Sequence, residues 1–375
     1  MGVLRWQIAL DARLRGFLQR PEQRLAEPVA IALRMGAFQL LHLDRIPAHA
    51  ALSESVELCR VAGHPHATGM VNAVLRKLTK PASQSRDAGR PAKQPGIPIH
   101  ESVAGFAERL GHPAWMVERW SSVYGRETAL KICEAGQQEP ADGGMFAESG
   151  GDLPQIDDGS RLVAELTVAA MPNAKRVWDC CAAPGGKTLV LARRLNEAAI
   201  VASDVSAKRL AAMETRLKRH AYAERIVCSI SDAVNARGIE GEFDLILCDV
   251  PCSGTGTLAR NPEIRHRLKP EDLARQAARQ QTILAGALGR LAPGGRLVYS
   301  TCSLEPEECE QVVEAVVGVS GLHRVPVEGL MHQLSEQGVL LAGVQPGSTM
   351  RGGALRTLPG MHGCDGFFAS VLERD

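Results

Sequence analysis

The sequence lacks both an apolar run long enough to cross a membrane and a pair of cysteines at zinc-site spacing. No segment reaches eighteen consecutive apolar residues, so we expect no membrane span. Residues 1–16 have neither the central apolar block nor the small-residue cleavage site of a secretory signal. None of the ten cysteines forms a CxxC pair, so we expect no metal site. These absences predict a cytoplasmic protein with reduced thiols.

The composition is that of a globular protein, but its charge is unevenly distributed. The 375 residues are 45% hydrophobic and 23% charged, which allows two or three domains. Residues 1–130 carry 17 basic and 11 acidic side chains, whereas residues 131–160 carry 1 and 7. A basic first domain is compatible with nucleic-acid binding. On charge alone, a solvated basic surface explains it equally well.

The N-terminal part has helical spacing of apolar residues, as in EPVAIALRMGAFQLLHL and PHATGMVNAVLRKL. A Pro-, Gly- and Ser-rich segment at 80–98 is typical of a mobile linker. The stretch at 141–160 is acidic and rich in glycine. The predicted organisation is a helical domain at 1–80, a linker region at 81–160 with a helical segment at 101–136 and a flexible acidic stretch at 137–160, and a further domain at 161–375.

After residue 160, short apolar runs alternate with helical segments. The predicted strands are RVWDCC, AIVASD, RIVCSI, FDLILCDV and GRLVYST. The helical segments between them include KTLVLARRLN, SAKRLAAMETRLKRH and EDLARQAARQQTILAGALGRL. This alternation predicts a doubly wound, Rossmann-like α/β domain that binds its ligand at the carboxyl ends of the strands.

The first of these strands leads into a glycine-rich turn, VWDCCAAPGGKT, at residues 177–188. Gly185 and Gly186 allow a close approach of the backbone to a ligand, and a helix begins near Lys187. The spacing matches neither GxGxxG nor the P-loop, which excludes those two nucleotide motifs. Such a turn is also compatible with a purely structural role.

An aspartate follows each of the next three strands. Asp204, Asp232 and Asp249 occupy these positions. A carboxylate after the second strand can accept hydrogen bonds from ribose hydroxyls, and a second can face an adenine amino group. Each aspartate alone is also compatible with helix capping. Three in succession favour a ligand that contains adenosine.

Two cysteines follow neighbouring strands of the predicted sheet. Cys252 lies in CDVPCSGTGT after the fourth strand, and Cys302 lies in YSTCSLEPEE after the fifth. An isolated cysteine is usually a small buried hydrophobe. Two thiols beside Asp249 and an adenosine-type site instead favour a thiolate nucleophile. The acids Glu305, Glu307 and Glu308 are interpreted as residues that match a helix dipole.

The loop after Cys252 ends in a basic segment, LARNPEIRHR. Arg260, Arg265 and Arg267 could bind phosphates there. A basic surface loop without a ligand is the alternative interpretation.

The motifs CAAPGGKT, ASD, SDA, DVPCSGTGT, YSTCSLEPEE and DGFFAS resemble, in this order, those of the RNA cytosine-C5 methyltransferases of the Nop/Sun family. The resemblance covers residues 155–375. The segments GVLRW, RIPAHAALSESVEL and GMVNAVLRKL are similar to the NusB-like RNA-binding domain of the bacterial Sun-type enzymes. The resemblance therefore implies an enzyme that methylates C5 of a cytosine in 16S rRNA.

The same resemblance implies S-adenosylmethionine as the cofactor. Asp204 matches the ribose-binding acid, with Arg209 supporting it, Asp232 the acid on the adenine side, and Asp249 the acid between cofactor and target base. The residues expected around the methionine part of the cofactor are Cys181, Ala182, Ala183, Pro184, Gly185, Gly186 and Lys187.

The resemblance further assigns the two thiols. Cys302 matches the nucleophile that attacks C6 of cytosine, which makes C5 reactive toward the methyl group, and Cys252 matches the cysteine that assists product release. The target base must leave its stack to be reached. The expected partner is ribosomal RNA, naked or in an early 30S particle, and a monomer without a metal or a membrane partner is expected.

The chain differs from the family pattern in two places. It begins at the GVLR motif, so we expect an N-terminally truncated NusB-like domain. Between EAGQQEP and QIDDGS it has a short acidic segment where the family has an RNA-contacting subdomain. These differences concern RNA affinity and target choice.

The alternatives are a tRNA or 23S rRNA target, or a non-catalytic RNA-binding ribosome-assembly factor, which would have no need of paired thiols. A small-molecule methyltransferase would explain the adenosine site but not those thiols.

Overall fold

In a computed structural model, the chain forms two compact units, residues 1–138 and 139–375. The structure describes residues 1–79, 101–140, 144–147, 153–317 and 321–375. The linker predicted at 80–98 lies outside the described residues, as does part of the acidic stretch at 137–160.

The first unit is helical, because its apolar residues recur at helical spacing. Its α-helices are α1 (Gly2–Arg15), α2 (Glu27–His42), α3 (Ala48–Val61), α4 (Thr68–Leu78), α5 (Val103–Arg109), α6 (Ala114–Tyr124) and α7 (Arg126–Gln137). Leu10, Leu33 and Leu75, from α1, α2 and α4, are buried in one apolar cluster. Each such side chain contributes roughly 1.5–3 kcal/mol when fully buried. The helical fold expected for residues 1–78 is confirmed.

The second unit alternates strands and helices around one sheet. Its elements are α8 (Asp158–Ala170), β1 (Arg176–Asp179), α9 (Gly186–Arg194), β2 (Ala199–Asp204), α10 (Ala207–Leu217), β3 (Ile226–Ile230), β4 (Phe243–Asp249), α11 (Ile264–Arg267), α12 (Pro270–Leu288), β5 (Leu291–Thr301), α13 (Glu310–Val317), β6 (Leu322–Val325), α14 (Val327–Glu336), β7 (Met350–Arg351), β8 (Ala354–Arg356) and β9 (Phe368–Arg374).

The strand order β3-β2-β1-β4-β5 is parallel throughout, which confirms the predicted doubly wound sheet. β9 pairs antiparallel with β5, and β8 and β6 both pair antiparallel with β9. The order reverses between β1 and β4, so a crevice is expected at the carboxyl ends of these two strands. The four strands that follow β5 were not predicted from the sequence.

Successive side chains along each strand point to opposite faces of the sheet, and both faces are covered by helices. In β4, Leu245 and Leu247 face the cluster that contains α8, α9 and α14. Ile246 and Cys248 face the cluster that contains α12 and α13. Both clusters are buried, so the central strands are packed on both faces.

The described part of the acidic stretch is packed rather than free. Met145 and Phe146 are buried in the α8 side of the core, and Phe146 forms a β-bridge with Leu340. The Met145 backbone N–H donates to the Asp158 carboxylate at 2.9 Å. These two apolar side chains are the physical reason that 144–147 differs from the flexible segment expected there. No helix among the described residues is long and apolar enough to cross a membrane.

Candidate active site

The turn between β1 and α9 brings backbone to the carboxyl edge of the sheet. The Ala182 N–H donates to the Ser203 carbonyl at 2.8 Å, and the Ala183–Pro184 peptide is cis. Gly185 has φ +96°, a conformation that favours glycine, and a Cβ there would lie 2.8 Å from Met213. α9 begins at Gly186 with free N–H groups at its N-terminus. The predicted residues 181–187 thus form one tight turn and the start of α9.

Asp204 and Arg209 connect this turn to the end of β2. The Asp204 carboxylate is 3% exposed and accepts from the Ser206 N–H at 2.9 Å. Arg209 Nη1 lies 3.3 Å from Asp204 Oδ2, and the same guanidinium donates to the Ala183 carbonyl. Arg209 therefore holds together two of the segments predicted to bind cofactor.

Asp232 lies just beyond β3, at the same edge of the sheet but in a different environment. It is exposed, and its Oδ1 accepts from the Val234 N–H at 3.1 Å within its own loop. Two apolar side chains at the ends of β2 and β3 are also exposed, Val205 at 57% and Ile230 at 62%. Carboxylates for hydroxyl and amino groups, with apolar surface between them, fit an adenosine-containing ligand. The two apolar residues were missed from the sequence, although each directly adjoins a predicted strand end.

Lys187 and Asp249 form an ion pair at the mouth of the crevice. Lys187 Nζ lies 2.7 Å from Asp249 Oδ2, and the Ser300 hydroxyl donates to Asp249 Oδ1 at 2.7 Å. The ammonium also lies 5.0 Å from the ring centroid of Phe367, in the DGFFAS segment. Burial lowers the pKa of Lys187, but Asp249, Cys302 and Asp179 outweigh it, so the pKa is raised. Lys187 therefore stays charged beside Cys302.

The two predicted cysteines meet in this crevice. Cys252 Sγ and Cys302 Sγ are 3.2 Å apart, because β4 and β5 are neighbours with Asp249 opposite Ser300. The hydrogen bond with Cys302, burial and the charges of Cys302, Glu308 and Asp249 raise the pKa of the Cys252 thiol well above its usual range. Cys252 therefore keeps its proton, and its thiol lies in contact with the Cys302 sulfur.

Gly256 lets the two cysteine loops approach closely. Its N–H donates to the Cys302 carbonyl at 2.9 Å, and its carbonyl accepts from the Gly366 N–H at 2.8 Å. A Cβ at Gly256 would lie 2.8 Å from the Cys302 carbonyl oxygen and closer still to Gly366. The glycine is therefore required by this contact.

Two of the three arginines proposed as phosphate ligands have other roles in the structure. Arg260 pairs with Asp365 at 3.0 Å and with Asp157 at 3.2 Å. Arg265 is buried, whereas Arg267 is exposed. The phosphate-binding hypothesis is therefore wrong for Arg265, because burial removes it from solvent. Arg260 is paired with two carboxylates but its side chain is 34% exposed, so phosphate binding by Arg260 and Arg267 stays a prediction.

Glu308 is a site residue that the sequence did not reveal, since it was interpreted as matching a helix dipole. It ends a 3₁₀ turn (Pro306–Glu308) and is 0% exposed. Its carboxylate accepts from the Ser253 N–H at 2.9 Å and the Ser303 hydroxyl at 2.6 Å. The dipole interpretation is wrong for Glu308, because the side chain turns inward to these donors.

Asp179, at the end of β1, is a second buried carboxyl without an earlier assignment. The Thr188 hydroxyl donates to it at 2.6 Å. Burial raises the pKa of Asp179 to about 7, and the charges of Asp249 and Asp204 add to this effect. Its only sequence signal was its place at the first strand end.

Comparisons with known proteins agree with this geometry. A family model described as 16S rRNA methyltransferase RsmB/F matches residues 166–373, and a NusB family model matches residues 1–80. The chain is 31% identical to the probable ribosomal RNA small subunit methyltransferase B of Bacillus subtilis (strain 168), covering 100% of this chain and 88% of that protein. It is 32% identical to ribosomal RNA small subunit methyltransferase B of Xanthomonas campestris pv. campestris, covering 99% and 86%. The crystal structure titled PH0851 shares the fold, with a TM-score of 0.71 and 21% identity over 99% of this chain and 88% of that one.

Proposed function

Because the chain belongs to the 16S rRNA methyltransferase RsmB/F family, we propose that it methylates C5 of a cytosine in 16S rRNA through a covalent adduct between Cys302 and C6 of the base. Family membership confirms the resemblance drawn from the motifs. The chain is an RNA methyltransferase, and S-adenosylmethionine is its methyl donor. The observation that carries the proposed mechanism is the contact of 3.2 Å between the two thiols beside Asp249.

The cofactor is assigned to the edge formed by the β1–α9 turn and the ends of β2 and β3. Residues 181–187 would surround its methionine part, Asp204 with Arg209 would bind the ribose, and Asp232 would face the adenine. S-adenosylmethionine supplies a methyl group made electrophilic by the positive sulfur that bears it. The exposed Val205 and Ile230 give the adenine ring an apolar surface.

Cys302 is the proposed nucleophile. Its thiolate adds to C6 of a cytosine that has left its stack, which breaks the aromaticity of the ring and makes C5 nucleophilic. The Lys187 ammonium lies within electrostatic reach of Cys302, and a cation near a cysteine is the usual setting of a nucleophilic thiol. Asp249 lies between the turn and the thiols, where it would hydrogen-bond the base and orient C5 toward the methyl group.

Release of the product needs the reverse of the addition. After methyl transfer, C5 loses its proton to a base, the C6–sulfur bond breaks, and the electron pair returns to Cys302. Cys252 touches Cys302 and carries a proton, so it can stabilise the departing thiolate by donating a hydrogen bond. Cys252 is therefore proposed to act in release rather than in attack.

The partner is ribosomal RNA, and the first unit is proposed to contribute to its binding. Residues 1–80 match the NusB family, and residues 1–130 carry 17 basic against 11 acidic side chains. This excess favours contacts with phosphates. Naked 16S rRNA and an early 30S particle are both compatible with such contacts.

The test is methyl transfer from tritiated S-adenosylmethionine to unmodified 16S rRNA, offered naked or in 30S particles. Cys302→Ala is expected to lower the rate by roughly 10³-fold or more, because the nucleophile is removed. Cys228→Ala changes a thiol on β3, four strands from Cys302 in the sheet, and serves as the matched control.

Unchanged activity in Cys302→Ala would contradict the mechanism. Bisulfite sequencing of the product locates the modified base. Exclusive methylation of 23S rRNA or tRNA would instead support one of the alternative targets.

A further inference from the structure

A single buried carboxylate connects the two cysteine loops. Ser253 follows Cys252 and Ser303 follows Cys302, and both serines donate to Glu308. Its Oε1 accepts from the Ser253 N–H and from Gln280 Nε2, each at 2.9 Å. Its Oε2 accepts from the hydroxyls of Ser253 and Ser303. Glu308 is thus a cross-link between the residues that follow the two thiols.

Hydrogen bonds fix the position of the Glu308 carboxylate. Its side chain is fully buried, and its four donors are neutral groups that satisfy both oxygens. Its backbone carbonyl also accepts from the Tyr299 hydroxyl at 2.7 Å. A carboxylate held in this way has a defined position, because any displacement would leave buried donors unsatisfied.

Charges of opposite sign act on the two sulfur atoms. Cys302 is one of the groups that raise the pKa of Lys187, so the Lys187 ammonium is the cation on the Cys302 side of the pair. The carboxylate of Glu308 helps to raise the pKa of Cys252. The two sulfurs are 3.2 Å apart, and the Glu308 carboxylate favours retention of the proton on Cys252.

We propose that Glu308 is a positioning residue that holds the two cysteine loops in contact and keeps the proton of Cys252 in place, so that Cys302 is the sulfur that acts as the nucleophile. This inference rests on the proposed function of Cys302 as nucleophile. Glu308 touches neither substrate nor cofactor in this account, and acts through Ser253 and Ser303.

The test compares the two cysteines by their initial rates of alkylation with iodoacetamide across a pH series. The alkylated sites are identified by mass spectrometry. In the unmodified protein we expect Cys302 to react at neutral pH and Cys252 to react only at higher pH. Glu308→Gln keeps the size of the side chain, and its amide can still bond the two serine hydroxyls, but it removes the charge.

In Glu308→Gln, we expect the Cys252 to Cys302 alkylation ratio at neutral pH to rise by roughly tenfold, which corresponds to a change of about one in the relative pKa. Methyl transfer should fall in kcat, with an unchanged KM for S-adenosylmethionine. Glu314→Gln changes an exposed glutamate on α13 and should leave both readouts unchanged. Circular dichroism verifies the fold of each variant.

An unchanged alkylation ratio in folded Glu308→Gln would overturn the inference. Alkylation does not depend on methyl transfer, so this outcome is distinct from failure of the proposed function. If Cys302→Ala retained methyl transfer, the proposed mechanism would fail whatever the alkylation pattern. If Cys302→Ala were inactive and the ratio in Glu308→Gln were unchanged, only the role of Glu308 would fail.

Discussion

The two cysteine loops occupy equivalent places in the fold but present their thiols to opposite charges. Cys252 and Cys302 both follow the carboxyl end of a central parallel strand, and each is followed by a serine bound to Glu308. Cys302 interacts electrostatically with the Lys187 ammonium, whereas the Glu308 carboxylate helps to raise the pKa of Cys252. The strand order therefore brings the two thiols together, and the neighbouring charges distinguish their proposed roles in attack and release.

Removal of the Lys187 charge tests the environment of Cys302. Of the changes proposed for this comparison, it has the largest expected effect. Lys187→Met keeps a long unbranched side chain but removes the charge near Cys302 and Asp249. We expect methyl transfer to fall by about 10²-fold, since one preorganised electrostatic contact is lost. The pH profile of the rate should also move to higher pH, because the thiolate loses its stabilising cation.

The matched control is Lys175→Met, since Lys175 is an exposed lysine paired with Glu197. It should leave the rate and the pH profile unchanged. A fall in Lys187→Met without any movement of the profile would contradict the comparison. It would mean that Lys187 only holds Asp249 in place.

A change at Asp179 has a smaller expected effect. It tests the electrostatics of the strand ends without changing either thiol. Burial raises the pKa of Asp179 to about 7, whereas in the unfolded chain the carboxyl ionises near its ordinary value of about 4. Between these values the folded state binds more protons than the unfolded state. The stability that this group contributes is therefore present at low pH and lost as pH rises through about 7.

In Asp179→Asn the side chain cannot ionise, so this pH dependence should disappear. The variant's free energy of unfolding, relative to the original protein, should rise between pH about 5 and about 8 by on the order of 2 kcal/mol. Urea denaturation at both pH values measures it. Glu336→Gln, at an exposed position on α14, is the control. An equal difference at both pH values would show that Asp179 stays ionised throughout.

Much of the fold followed from local sequence patterns. Each central parallel strand is a short apolar run, and the helices between them have clear spacing, so both the sheet and its ligand edge could be predicted. The strands β6–β9 could not. β6, β7 and β8 are only 4, 2 and 3 residues long. β9 is longer, but it pairs with segments distant in sequence, such as Arg374 with Leu322.

The site shows the same division between local and distant signals. The residues of the turn, the three aspartates and the two cysteines lie in recognisable motifs, and the structure brings Lys187, Asp249, Cys252 and Cys302 together. Glu308 ends the motif YSTCSLEPEE, but the motif does not indicate that its side chain is buried. Its partners Gln280 and Ser253 lie 28 and 55 residues away, so only the fold reveals that it is buried between the cysteine loops.

The most direct test of the proposed division of roles is to locate the covalent bond in a trapped complex. Cys252→Ala is incubated with S-adenosylmethionine and unmodified 16S rRNA, and the protein–RNA complex that survives denaturing gel electrophoresis is digested for mass spectrometry. We predict a cytosine-derived nucleotide linked to Cys302, because attack proceeds while release is impaired. A nucleotide linked to another cysteine, or undiminished turnover without any covalent complex, would contradict the account.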